Sequence, residues 1–468
     1  MRLPIAKVAR LAIVGVLLIA LTGCLRGPIT GGAGIALTTG FDVAEVGYTR
    51  SEFFVSGFAR TFSPAAPLTN DGKWTVTAEP VADDGVFVTR IVVIRPADPS
   101  RFNGTVIVEW LNVSAGGDLA TDYLMAHNEM LREGAVWIGV SAQAQGVDNL
   151  RSTDAARYGS LHHPGDSYSY DMFSFIGRSI RANFAKLTDG LVPQRMLATG
   201  ESQSAGRLVT YLNAVHPSAG VYDGFLVHSR SGGGAPLSQS PVLVPVASPM
   251  QIRNDLDAPV FVVQAEGDVI NSNLGARQPD TTMFRSWELA GTSHADAYTV
   301  AVGFNDRGDG SGAVQMFNFM RAPLALGCGL PINAGSHHWQ LQAAFHHLDA
   351  WVRTGTLPPI GPLLDVESSS PVVLARDAFG NALGGVRSPQ VDARVARLDG
   401  ANTGAGFCRL FGSTTPLTPQ QLLALYPTHA DFVSQWDRSL LTTVAGGFIL
   451  AADANELHAA AQQSQIPN

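Results

Sequence analysis

Cysteine is scarce. Cys24, Cys328 and Cys408 are spread over 468 residues, which excludes a disulfide-built scaffold. Basic charge is also short, with 31 Lys+Arg against 39 Asp+Glu and a formal net charge of −8. An acidic chain without a basic block is unsuited to the phosphate contacts of nucleic-acid binding. No Gly-rich loop ends in Gly-Lys-Ser/Thr, no Gly-x-Gly-x-x-Gly follows a strand, and no His-Glu-x-x-His occurs. Neither a nucleotide, a redox cofactor nor a metal is therefore expected. Histidine pairs at 162–163, 337–338 and 346–347 have adjacent rather than ligand spacing, and read as loop and helix residues. Disorder is excluded too, since 46% of the residues are hydrophobic and only 15% charged.

Long apolar runs are missing as well. The longest near the N-terminus, LAIVGVLLIAL at 11–21, follows Arg2, Lys7 and Arg10. It is short for a membrane span and reads as the core of a signal peptide covering 1–23. Leu21-Thr22-Gly23-Cys24 looks like a bacterial lipobox, which makes Cys24 the expected lipidation site and a lipid anchor the only expected membrane contact. Leu25 rather than Asp follows, which points to the outer membrane or cell surface. In such an oxidising compartment Cys328 and Cys408 can form a disulfide or remain two buried thiols.

What the sequence has in quantity is turns, with 49 Gly and 27 Pro, between short apolar segments. Segments 51–62, 86–96, 104–112, 135–143, 195–200, 224–229, 259–264 and 284–291 read as strands. Segments 121–133, 172–187, 205–215 and 336–354 carry helical spacing. Strands that are apolar throughout imply burial on both faces, hence an α/β fold with a mostly parallel sheet covered by helices. The expected organisation is a linker over 24–48, a core over 49–355 and a C-terminal extension over 356–468 packed on that core. The extension contains a hairpin (372–385) and helices near 418–426 and 453–464. Residues 230–257, rich in Gly, Ser and Pro, are placed as a lid insertion.

Gly200-Glu201-Ser202-Gln203-Ser204-Ala205-Gly206 falls where a strand turns into a helix, the setting of a nucleophile elbow. Ser204 stands where the common pattern has a second glycine. A serine hydroxyl needs a base, and that base needs an acid to orient it. Downstream, 258–268 runs from a strand into Glu266-Gly267-Asp268, and 287–294 runs from a strand through a turn to His294. Ser202, Asp268 and His294 thus follow the chain order of an α/β-hydrolase triad, with Glu266 as the alternative acid and His338 as the alternative base. The oxyanion donors are expected to be the amide of Gln203 and that of Asn112 or Val113, in the turn after the third strand.

The chain resembles a bacterial "alpha/beta hydrolase domain" family within the serine esterase superfamily. The similarity rests on residues 108–118, 139–143, 163–174, 200–217, 276–296, 334–359 and 384–392. It implies the α/β-hydrolase fold and ester hydrolysis with Ser202 as nucleophile, Asp268 as acid and His294 as base. The expected activity is carboxylic-ester hydrolysis through an acyl-enzyme. The alternatives are an acyltransferase using the same triad and a non-catalytic envelope lipoprotein. The substrate is a small or lipid-like ester, which the resemblance does not specify further.

Overall fold

Residues 24–35, 39–240 and 243–467 are described by a computed structural model; the expected signal peptide at 1–23 lies outside the described residues. The β-branched runs build one nine-stranded sheet. Its strands are β1 (Cys24–Arg26), β2 (Tyr48–Phe58), β3 (Val86–Pro96), β4 (Thr105–Trp110) and β5 (Val136–Val140). They continue with β6 (Arg195–Glu201), β7 (Gly224–His228), β8 (Val260–Ala265) and β9 (Phe284–Leu289). The spatial order is β1-β2-β3-β5-β4-β6-β7-β8-β9. Strands β4 to β9 are parallel to one another, while β1, β2 and β3 join as an antiparallel flank. Every residue of β4 through β8 is buried, as in a parallel sheet covered by helices on both faces.

Alternation along β4 divides the core. Val106 and Val108 face α2 (Ser169–Thr188) and α3 (Gln203–Ala214), with Phe173, Ile176 and Leu208. Ile107 points the other way, into the cluster holding Tyr123 of α1 (Thr121–Arg132) and Leu341 of α5 (His337–Thr354). The start of α1 is fixed by a buried carboxylate of β4: Glu109 accepts from the amides of Asp122 (3.0 Å) and Tyr123 (2.9 Å). These are N–H groups that a helix cannot satisfy itself.

Three further helices cover the same face: α4 (Ser311–Arg321), α6 (His429–Ala445) and α7 (Ala451–Gln463). Met316, Phe317, Trp436 and Leu457 enter one apolar cluster with Phe261 and Trp287 of the sheet. Position 355 therefore marks no gap in packing, because the C-terminal extension completes the core. Neither α4 nor α6 is expected from the sequence. Among the described residues no helix is long and apolar enough to cross a membrane.

One expected segment differs. The 24–48 stretch is not a free linker: Cys24, Leu25 and Arg26 pair with Ser56, Val55 and Phe54 of β2, and Leu25 is buried. Burial of that one apolar side chain and the ladder bonds hold the edge strand in place. Within the segment placed as a lid, Leu237, Met250 and Ile252 are fully buried and anchor it to the core.

Candidate active site

Ser202 occupies the turn between β6 and α3 with φ 57° and ψ −114°. This left-handed, strained backbone lifts its side chain off the carboxyl edge of the sheet. The turn is held from outside, with the Ser202 amide donating to the His228 carbonyl at 3.0 Å. Ser204, where glycine is usual, is fully buried, and its hydroxyl turns back to the Glu201 carbonyl at 2.8 Å. Its polar atom is thereby satisfied.

His294 Nε2 lies 2.8 Å from Ser202 Oγ, and His294 Nδ1 lies 2.6 Å from Asp268 Oδ1. Asp268 Oδ2 accepts from the Ala265 amide at 2.7 Å. Burial opposes charge on the imidazole, but Asp268 and Glu201 outweigh it and raise the His294 pKa to about 9. Burial pushes the Asp268 carboxyl up, yet His294 and its hydrogen bonds leave it below the usual value. The two alternatives from the sequence are employed elsewhere. Glu266 accepts from Gly291 N (2.8 Å), Gly400 N (3.0 Å) and Arg376 Nη2 (2.9 Å). His338 is stacked on Tyr298 with ring centroids 3.5 Å apart.

A fourth group at the triad is one the sequence reading missed. Glu201 Oε1 is 3.1 Å from His294 Nε2, and Asn112 Nδ2 donates to Glu201 Oε2 at 3.0 Å. Burial raises the Glu201 carboxyl to about 7, against the pull of His294 and His228. Its place just before the nucleophile was the available signal. Only the fold shows that it faces the imidazole.

Beneath the site runs a fully buried polar chain. Thr199 Oγ1 donates to Asp122 Oδ2 (2.6 Å), His228 Nδ1 meets Asp122 Oδ1 (2.7 Å), and His228 Nε2 meets His337 Nε2 (2.8 Å). His337 Nδ1 ends the chain on the Ser293 carbonyl at 2.9 Å, and so braces the residue that precedes His294. Burial, then the neighbouring His228, depresses His337 to about 3.

Of the expected oxyanion donors, the Asn112 amide is already committed to the Leu119 carbonyl at 2.9 Å, and its side chain to Glu201. That corrects the expectation for Asn112. Val113 lies one residue further along the same turn, and Gln203 opens α3, where an amide lacks an intrahelical acceptor.

Ser202 and His294 border two cavities. One, of about 370 Å³, is walled by Leu119, Leu124, Val300, Phe304, Leu410 and Phe411. The other, of about 610 Å³, is lined by Ser114, Gln203, Arg207, Arg230, Asn271 and Arg409. Phe407 and Leu410 border both. They belong to a 3₁₀ turn, Gly406–Leu410, that Cys408 ties to Cys328 by a disulfide. A larger open cleft of about 880 Å³ near Arg195 and Trp351 lies at the amino ends of the strands, away from the triad. The carboxyl and imidazole groups of Glu129, Glu133 and His346 converge on α1 and α5. Glu129 there is already bound by Arg132 (2.6 Å) and His346 (2.8 Å).

A mostly parallel sheet, a strained serine at a strand–helix turn, and an imidazole between that serine and a carboxylate are the features of an α/β-hydrolase. The chain belongs to the alpha/beta hydrolase domain family, whose model matches residues 25–459. No curated protein matches it in sequence. Among solved structures it is similar to Methylesterase BT1017, with 13% identity, TM-score 0.30, 57% of this chain and 51% of that one covered. It therefore spans about half the length of that protein. It is also similar to a serine hydrolase without a lid from Xanthomonas campestris (14% identity, TM-score 0.24, 44% and 72% covered). An arylesterase matches at 13% identity and TM-score 0.25, with 44% and 73% covered.

Proposed function

We propose that the protein is a serine hydrolase that cleaves carboxylic esters through an acyl-enzyme. The observation that carries this reading is the continuous line Ser202 Oγ–His294–Asp268, at 2.8 and 2.6 Å. Ser202 Oγ attacks the ester carbonyl carbon while His294 Nε2 takes the hydroxyl proton, and Asp268 stabilises the resulting imidazolium. The amides of Gln203 and Val113 receive the oxyanion. Collapse of the tetrahedral intermediate breaks the bond to the alkoxide, which leaves with the proton from His294. Water then attacks the acyl-enzyme, again giving its proton to His294, and the acid departs as Ser202 recovers its hydrogen.

The test is hydrolysis of p-nitrophenyl esters by the wild type and by Ser202→Ala, with fluorophosphonate labelling of both. Loss of roughly 10⁴-fold or more in kcat is expected for the variant, together with loss of labelling. Undiminished turnover by Ser202→Ala would end the assignment.

Cleavage before Cys24 and acylation of its thiol would place the enzyme in the bacterial envelope, anchored by lipid on the extracytoplasmic side. The lipobox supports this, as does the Cys328–Cys408 disulfide, a bond that persists in oxidising compartments. Globomycin-sensitive processing of the precursor tests it.

A further inference from the structure

The two cavities flanking Ser202 differ in chemistry, and the difference bears on which ester fits. A substrate whose carbonyl sits at Ser202 must direct its acyl and alcohol portions away from one another. Two cavities share Ser202 and His294 and diverge from them. The smaller offers hydrocarbon and aromatic walls, suited to a hydrocarbon group.

The larger is cationic. Three guanidiniums, Arg207, Arg230 and Arg409, line it against one carboxylate, Asp268, whose charge is engaged by His294. Arg207 is paired with Asp166 at 2.8 Å, although its buried Nε has no hydrogen-bond partner. Arg230 is fully buried and gives its guanidinium to the carbonyls of Ser231, Gly232 and Met250. Among the described residues no carboxylate pairs with Arg230 or Arg409. Arg409 is exposed, so its head group can reorient toward a ligand. In a chain of net charge −8, cations left unpaired beside a reactive serine reverse the prevailing sign locally. The disulfide at Cys408 fixes the residue next to Arg409 and thus keeps that charge at the mouth.

We propose that the substrate is an ester joining a hydrocarbon half to a half that carries an anionic group, with the anion received by Arg409 in the polar cavity. This rests on the esterase reading above and deepens it. The anion can reside on the acid or on the alcohol portion, and matched pairs separate the two. Butanoyl esters of 4-hydroxybenzoate and of methyl 4-hydroxybenzoate place the charge on the alcohol side. The p-nitrophenyl esters of glutaric acid and of its monomethyl ester place it on the acid side.

For the wild type, kcat/KM is expected to favour the charged member of at least one pair, and the preference should shrink with added salt. Arg409→Gln should lower that charged-to-neutral ratio about tenfold, as loss of a charge-assisted hydrogen bond implies, and Arg409→Lys should restore much of it. A ratio unchanged by Arg409→Gln in both pairs, or a wild-type preference for the neutral member in both, overturns the proposal. Labelling by a neutral fluorophosphonate keeps the two failures apart. Protein that labels at Ser202 yet shows no charged-ester preference refutes this inference alone, whereas folded protein that does not label refutes the esterase reading.

Discussion

Glu201 places a second carboxyl against the nitrogen that takes the serine proton in the proposed mechanism. With His294 neutral, its Nδ1–H goes to Asp268 and its Nε2 lone pair receives the Ser202 hydroxyl, so a carboxylate 3.1 Å from Nε2 is unfavourable and the protonated acid is preferred. The imidazolium instead favours the carboxylate, Glu201 giving up its proton to water in the cavity that it lines. Glu201 thus raises the basicity of His294 and steadies the charge that develops in the transition state. Removing it has two separable effects. In Glu201→Gln the acidic limb of kcat/KM should move to lower pH, because the imidazolium loses an anionic neighbour. The plateau kcat should fall by roughly tenfold, equivalent to about 1.4 kcal/mol of transition-state stabilisation. A pH–rate profile of the variant checks both; an unmoved limb would show that Glu201 serves only packing. The glycines by the acid are equally constrained. A Cβ on Gly400 would lie 2.3 Å from the Gly267 amide nitrogen, and one on Gly267 2.6 Å from the Gly400 carbonyl oxygen. Gly400→Ala is expected to displace the Glu266–Asp268 turn and to lower kcat along with Tm.

Among elements, the turn Gly406–Leu410 shows how a late segment of the chain becomes part of an early site. It crosses from the C-terminal extension to the mouth above Ser202, where Phe407 and Leu410 divide the cavities. The disulfide that holds it closes a loop with a sequence separation of 80. Loop-closure entropy gives such a bond a stabilising effect of ~4 kcal/mol. A Cys328→Ser/Cys408→Ser double variant should therefore melt lower, by several degrees in calorimetry, and lose discrimination between esters of different acyl length before it loses turnover. This partition was not legible in the sequence. Phe407 and Arg409 carry no motif, and only the packed extension brings them to the serine. The strands were legible for the opposite reason, since β3 to β8 each carry a run of three or more apolar residues that states its own burial. Helix α6 escaped notice because its buried stripe consists of Phe432, Trp436, Leu440 and Thr443, and the polar residues between them mask the period. The order Ser202, Asp268, His294 could be read along the chain, whereas Glu201 depends on which way a neighbouring ring faces.

Across the whole molecule, the helices that complete the core enclose acids that resist ionisation. Burial raises Asp453 of α7 to about 7, against the pull of Arg132, and raises Glu456 to about 7. In the unfolded chain such carboxyls ionise near pH 4. As pH rises from about 4 to about 7 the unfolded state releases these protons while the folded state retains them, so stability falls through that window and levels off above it. Asp453→Asn keeps an oxygen for Arg132, yet cannot ionise. Its Tm is expected to decline less than that of the wild type over that interval, as scanning calorimetry at several pH values would show. An equal decline would assign the loss to other groups.

The edge strand sets a different condition on the assembled protein. Cys24 pairs with Ser56, and Ser56 with Val88, at the same end of the sheet from which Ser202 projects. If its thiol bears the proposed acyl chains, the fold begins at the anchor with no slack between them. The enzyme could not swivel freely on a leash; its catalytic rim would be tilted toward the bilayer, and esters would be reached within a narrow height above the lipid headgroups.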